Sequence, residues 1–360
     1  MKVIVAIDSF KGCLSSIEAN QAATEGILTV CSTAEVIQVP VSDGGEGWLE
    51  SYQAAIGGEL VTLTVHDPLM RLISSCYLIK ENVAVIEMAK ASGLTLVTEE
   101  ERNPIYATSY GTGELISDAI RKGCREVIVG LGGSAMSDCG KGMLRAIIDT
   151  YAKGGTWDDV KGKIESIRFL IAADVKNPLY GKKGAAYVFA PQKGATPEMV
   201  ELLDFQARRF AEFSSRHYGF DYSQREGAGA AGGLGYALMQ YLGGEFHSGI
   251  ELLLDSVDFN RLMTDTTLII TGEGSADSQT LMGKVPYGIL QRGVHAKVST
   301  ALIAGCISDQ QALTNAGFSF VRCINPPNLP QNEAIKKNVA YANIRQTVSD
   351  IIRTLPQGKL

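Results

Sequence analysis

Short apolar runs rich in β-branched residues recur along this chain, each stopped by Gly, Asp or Ser, and they constrain its fold more than any other feature. They span 2–7, 35–41, 83–87, 126–130, 168–172, 267–271, 299–304 and 318–324. The runs are continuous rather than alternating, which is the pattern of strands buried on both faces, as in a parallel sheet. Parallel strands need crossovers, and helical patterns lie between the runs. Residues 15–29 are good helix formers with Ser16 as a cap. Residues 111–122 carry Leu115, Ile116, Ala119 and Ile120 at helical spacing, and Gly123 can close that helix. Residues 197–218 form a long amphipathic pattern, and 332–355 a C-terminal one. Only 60–77 departs, reading as an extended hairpin about Asp67-Pro68. Strand–helix alternation predicts an α/β fold. With 360 residues, two domains are expected. We expect a doubly wound, mostly parallel Rossmann-like domain from both chain ends, residues 1–60 plus 265–360. A second α/β domain, 61–264, would be inserted between them.

Composition removes several classes of function. The net charge is −6, and Lys and Arg are dispersed, so no nucleic-acid surface is expected. Seven cysteines include no C-x-x-C pair, which argues against zinc or a disulfide framework and for reduced thiols in the cytoplasm. The opening apolar run stops at Asp8, before any cleavage site, so no secretory leader is expected. No apolar run reaches membrane-spanning length, so no membrane partner is expected. A small-molecule substrate remains, and the sequence leaves room for a homodimer.

In α/β sheets, ligands collect at the carboxyl ends of strands. The first run is followed by Asp8-Ser9-Phe10-Lys11-Gly12, the second by Ser42-Asp43-Gly44-Gly45-Glu46-Gly47. Gly130-Leu131-Gly132-Gly133-Ser134-Ala135 follows the run 126–130, and Asp174 with Asn177-Pro178 follows 168–172. Gly272-Glu273-Gly274, then Asp277 and Gln279, follow 267–271. One acid after one strand is ordinarily a helix cap. Several together repel and lose solvation, so a metal or cationic partner is the natural reason to gather them. Mg²⁺ carrying substrate phosphates fits, because it needs only one or two carboxylates. Asp174 and Asp277 are the candidate ligands.

The glycine-rich stretch leads towards a helix near Gly142, a junction whose N–H groups can hold an anion. It also matches G-x-G-x-x-A, with Asp149 about where a ribose ligand would stand, but 143–148 reads as helix rather than a second strand. A second match, Gly227 to Gly232, reads as a loop or as close helix packing. No P-loop, kinase catalytic loop or G-x-S-x-G serine is present. Lys11, Lys193 (beside Gln192) and Lys284 sit in glycine-containing loops. Loop lysines are by default solvated. Here they are also candidate point charges for a phosphate or carboxylate.

These strings resemble one family. Asp8 to Gly12, Asp43 to Gly47, Ala91-Ser92-Gly93-Leu94 and Ser109-Tyr110-Gly111-Thr112-Gly113-Glu114-Leu115 are similar to the bacterial glycerate kinase type 1 family. So are Asp174 with Asn177-Pro178-Leu179, Pro191-Gln192-Lys193-Gly194-Ala195-Thr196, Gly272-Glu273-Gly274, and Gln279-Thr280 with Gly283-Lys284. The matches run in order over nearly the whole chain. The resemblance implies two α/β domains flanking a cleft, ATP and Mg²⁺, and phosphorylation of D-glycerate, more often to 2- than to 3-phosphoglycerate. Asp174, Asp277 and Asp8 are then the catalytic candidates. Ser9, Lys11, Asp43, Gly44, Gly45, Glu46, Gly132, Gly133, Ser134, Asn177, Gln192, Lys193, Gly272, Glu273 and Lys284 would bind substrate or phosphate. The chain departs from the family pattern at Met136, Ser137 and Cys139, where Thr, Asn and Gly are usual, and at Ser275, where Arg is usual. These departures bear on activity or substrate rather than fold, and they motivate the alternative of a non-catalytic or substrate-altered relative.

Overall fold

The computed structural model describes residues 1–356. Its strands are β1 (Lys2–Ile7), β2 (Glu35–Gln38), β3 (Glu59–His66), β4 (Leu72–Lys80), β5 (Val83–Glu87), β6 (Glu126–Gly130), β7 (Arg168–Ala172), β8 (Glu245–His247), β9 (Leu268–Ala276), β10 (Ser299–Ile307) and β11 (Phe320–Cys323). They form two sheets in two compact units. The fold is α/β. Among the described residues no helix is long and apolar enough to cross a membrane.

The first unit comprises Met1–Ser42, Glu50–Ile56 and the chain from Ile250 on. Its sheet, ordered β11-β10-β9-β1-β2, is parallel throughout. Counted by appearance within the unit, that order is 2-1-3-4-5, a doubly wound sheet whose direction reverses between β1 and β9. Val3, Val5, Ile7, Leu268 and Ile270 face the helices Ser16–Val30 and Lys337–Arg353. Leu302 and Ala304 pack with Leu290 and Leu313 on the opposite face. Burial on both faces is why these strands lack alternation.

The second unit comprises Asp43–Leu49 and Gly57–Gly249. Its sheet runs β3-β4-β5-β6-β7-β8, antiparallel across β3, β4 and β5 and parallel from β5 to β8. The hairpin between β3 and β4 turns where expected. Buried Asp67 accepts from the Leu69 and Arg71 N–H groups at 2.8 and 2.9 Å, and the Arg71 Nε lies 2.6 Å from its other oxygen.

The chain crosses between units after Ser42, Leu49, Ile56 and Gly249, not at 60/61 and 264/265. The late border moves because 250–264 packs on the first unit. The helix Gly249–Ser256 is held there by Arg292, whose guanidinium binds Glu251 and, at 2.7 Å, Asp255. Other boundaries shift locally. Ser15, not Ser16, caps the first helix, and the Ser16 hydroxyl donates to Ile7 O and accepts from Val41 N. β2 ends at Gln38. β9 and β10 run on to Ala276 and Ile307 because they keep pairing with each other, so Gly272-Glu273-Gly274 lies inside a strand rather than after one. The C-terminal pattern splits into Gln331–Ala334 and Lys337–Arg353.

Candidate active site

In the second unit, the short excursion Asp43–Leu49 is laid across the carboxyl ends of the parallel strands. Gly132 N donates to Gly44 O at 2.9 Å, and Leu131 N to Ala172 O at 3.0 Å. Leu49 N donates to the buried Glu87 carboxylate at the end of β5, at 3.0 Å. Two glycines are required by this approach. A Cβ on Gly132 would collide with Gly45 Cα, and one on Gly44, which has φ +95°, would stand 2.7 Å from Ala172 O. The Asp43 carboxylate accepts from Gly45 N at 3.0 Å and closes its own turn, and Glu46 is exposed beside it. Asp174 follows β7 after one residue and is half-buried. Asn177 spends its amide on Lys183 O at 2.8 Å. The structure therefore brings Asp43, Gly44, Gly45, Gly132 and the Asp174 loop to one end of one sheet.

The glycine-rich stretch is clamped from behind. Ser134 bridges Gly93, Leu94 N donates to Gly133 O at 2.8 Å, and Ala135 N to Ser92 O at 3.0 Å. Lys193 is 2% exposed, and its Nζ donates to Ser134 Oγ and Met136 O, both at 2.7 Å. Burial pushes its pKa down to about 7, against a smaller upward pull from the Asp138 carboxylate. Lys193 is thus a buried tie under the loop, not a solvated cation. Gln192 beside it is exposed, as is Gly133.

The helix junction expected to hold an anion is filled by the chain itself. Asp138 accepts from Ser109 N at 2.9 Å, Ser109 Oγ at 2.8 Å, Gly142 N at 3.0 Å and Gly140 N at 2.9 Å. Ser109 Oγ accepts from Met143 N at 2.9 Å. One carboxylate thereby serves the N-termini of the helices Tyr110–Arg121 and Lys141–Tyr151, where the partial charge is positive. Asp149 lies on the second of these helices, bound to Tyr110 OH at 3.0 Å and to Arg145, so the dinucleotide reading fails. The second glycine match packs on the same stretch: a Cβ on Gly232 would meet Met136 O, and one on Gly233 would stand 2.9 Å from Cys139 Cα. Cys139 has φ +57° and is buried, which is the conformation that suits the glycine usual at this position.

In the first unit, the sheet's reversal point lies between β1 and β9, where open α/β sheets bind ligands. Asp8 N donates to Gly272 O at 2.9 Å, and Ser9 N to the Asp8 carboxylate at 2.7 Å. Gly274 lies opposite Phe10 and Lys11, with Lys11 and Gly12 exposed. Glu273 is buried. Burial raises its pKa, opposed by Thr280 Oγ1, which donates at 2.6 Å, and by Lys284, whose Nζ lies 3.7 Å away. Asp277 caps the short helix Ser278–Met282, accepting from Gln279 N at 2.8 Å, while its own N–H donates to Thr280 Oγ1 at 3.0 Å. A polar cavity of about 690 Å³ lined by Lys2, Glu35, Asp265 and Lys297 lies at the opposite, amino ends of these strands and contains none of the candidate residues.

Among the described residues, no group of three or more His, Cys, Asp or Glu side chains is placed to hold a metal. Asp174 and Asp277 belong to different units. The residues present fit a cation carried on substrate phosphates, which needs few protein ligands, better than a resident metal.

Comparison with known proteins places this architecture. The model described as the glycerate kinase family matches residues 3–153 and 150–356. A glycerate kinase of Bacillus subtilis (strain 168) is 38% identical, over 100% of this chain and 99% of its own. A glycerate 2-kinase of Escherichia coli (strain K12) is 37% identical over 99% of each. A crystal structure from Salmonella typhimurium LT2, of a protein named there as a candidate glycerate kinase 2, superimposes with a TM-score of 0.83 at 36% identity, over 99% of both chains. Family model, full-length relatives and fold agree: the chain belongs to the glycerate kinase family and is a phosphotransferase.

Proposed function

We propose that the protein transfers the γ-phosphoryl group of ATP to a hydroxyl of D-glycerate, with 2-phosphoglycerate as the product. The observation that carries this reading is the convergence of the Asp43–Gly45 turn, Gly132 and the Asp174 loop at the carboxyl ends of β6 and β7, in a chain of this family. Phosphoryl transfer needs little covalent help from the protein. It needs positioning, charge stabilisation and a group to take the hydroxyl proton. Asp174 is the favoured base, because it follows β7 at the sheet end where Gly44 and Gly132 meet, and Asp277, which caps a short helix, is the second candidate. Asp8, at the reversal point of the other sheet, is the remaining catalytic candidate. Gly44, Gly45, Gly132 and Gly133 let backbone approach an anionic group, and Asp43, Glu46, Asn177 and Gln192 are the further candidates for binding substrate. Ser9 and exposed Lys11, beside Gly272, hold an anion at the reversal point. Lys284 balances Glu273, and Lys193 acts by fixing Ser134 and Met136.

Mg²⁺ bound with the nucleotide would neutralise charge on the transferred group, and Asp174 or Asp277 would be the side chains to hold it. A cytoplasmic setting is consistent with thiols rather than disulfides at all seven cysteines. Three of the four departures from the family pattern, Met136, Ser137 and Cys139, are buried, so they shape the loop from within and do not favour a non-catalytic reading. The 2-phospho product is supported by the name of the Escherichia coli relative. The test is turnover with D-glycerate and ATP, coupled to enolase and pyruvate kinase without a mutase. Enolase consumes 2-phosphoglycerate only, so a signal appearing only after mutase is added would assign the 3-phospho product.

A further inference from the structure

The helix Pro197–Tyr218 carries 22 residues, about 33 Å at 1.5 Å per residue, and shows two faces. Val200, Leu203, Ala207, Ala211 and Ser214 are buried in the second unit. On the other side Leu202 is 44% exposed, Phe205 56% and Phe213 68%. Single exposed apolar residues are ordinary, but these three share one side of one helix. At 100° per residue, Glu198, Leu202, Phe205, Arg209, Phe213 and Arg216 fall within about a third of the circumference. The charges along that stripe are ordered. Glu198 stands at its N-terminal end and Arg209 and Arg216 in its C-terminal half, with Glu212 at its edge as the exception.

We propose that this stripe is a self-association surface whose partner is a second copy of the chain, with the two helices antiparallel about a two-fold axis that passes between Phe205 and Arg209. A two-fold contact must be self-complementary, because each copy offers the same patch. This stripe meets that demand only in the antiparallel sense. Glu198 then faces Arg216 of the second copy, Leu202 lies beside the second copy's Glu212 and Phe213, and Phe205 lies under the second copy's Arg209. The last pairing is already rehearsed within the chain, where the Arg209 guanidinium lies 5.9 Å from the Phe205 ring. A parallel pair would set acid on acid and base on base. A cationic or anionic foreign partner would match only one half of the stripe.

The experiment is sedimentation velocity on the full chain from about 1 to about 100 µM, the range in which a small two-fold contact is populated. A rising dimer fraction is expected. Phe205→Glu with Phe213→Glu should give monomer at every concentration, with wild-type circular dichroism and Tm. Arg216→Glu should weaken the dimer about 10-fold or more by setting acid against Glu198. Adding Glu198→Arg to it should restore most of the loss, since the swapped pair is again opposite in sign. A wild-type chain that stays monomeric throughout overturns the proposal, as does a dimer indifferent to the two Phe substitutions. Failure of the double swap to restore association overturns the antiparallel register.

Discussion

Replacing Lys193 by Met removes one charge while keeping side-chain length, and the consequence should depend on pH in a calculable way. Lys193 is buried, with its ammonium hydrogen-bonded to Ser134 Oγ and the Met136 carbonyl, and its pKa is lowered to about 7. An unfolded lysine titrates near 10.4. Below about pH 7 both states are protonated and the folded state bears the whole penalty of burying the charge. Between the two values the unfolded chain binds more protons, so stability rises with pH, by about 1.36 kcal/mol per unit. From pH 7 to pH 9.5 this amounts to about 3 kcal/mol. Met does not titrate, so the difference in unfolding free energy between wild type and Lys193→Met isolates the effect. Near pH 7 the variant loses two hydrogen bonds from a charged donor, roughly 1.5–3 kcal/mol each, but also sheds the penalty. Its stability there should be close to that of wild type. Urea unfolding at the two pH values should show wild type pulling ahead of the variant by about 3 kcal/mol at the higher one. A difference that does not change with pH would mean that Lys193 titrates as an ordinary solvated lysine, and the picture of a buried tie under the glycine-rich stretch would be wrong.

Three substitutions separate catalytic from structural carboxylates. Asp174→Asn should leave the fold intact and lower kcat by at least about 10²-fold, whereas a small change in kcat with a lower Tm would make Asp174 a loop cap. Asp277→Ala should lower stability by about 1 kcal/mol through loss of the cap, and a loss of kcat as large as that of Asp174→Asn would move the base there. Asp138→Ala strands the Ser109, Gly140 and Gly142 N–H groups and should destabilise by about 3 kcal/mol or more, with a wild-type urea midpoint showing the clamp to be dispensable.

The parallel strands were legible because burial on both faces leaves continuous β-branched runs, so 83–87, 126–130 and 168–172 fall where the sequence puts them. The helix Pro197–Tyr218 was equally plain, with Thr196 as cap and Gly219, at φ +78°, as terminator. Where prediction slipped, a distant partner decided. Gly-Glu-Gly after Thr271 reads as a loop, yet Ser275 and Ala276 pair with Cys306 and Ile307 and keep β9 extended. Asp43–Leu49 carries nothing that marks it as leaving its unit. Its place is set by Gly132 and Ala172, whose backbones it meets. From sequence Lys193 reads as either a solvated lysine or an anion holder, because its partners, Ser134 and Met136, are nearly sixty residues away. Ser109 stands in a family-like string and Asp138 beside Ser137 and Cys139, with no local pattern that links the two. Their joint service to two helix starts is a tertiary fact without a local signature. Cys139 had a usable signal, since a residue standing where the family has glycine points to a left-handed backbone.

The most direct test of the central claim is a product measurement. Purified protein with ATP, Mg²⁺ and D-glycerate, followed by ³¹P NMR, should show ADP growing together with a phosphomonoester resonance that matches 2-phosphoglycerate and is absent without glycerate. ADP formation without a phosphoglycerate resonance, or no glycerate-dependent turnover at all from a folded protein, would contradict the account.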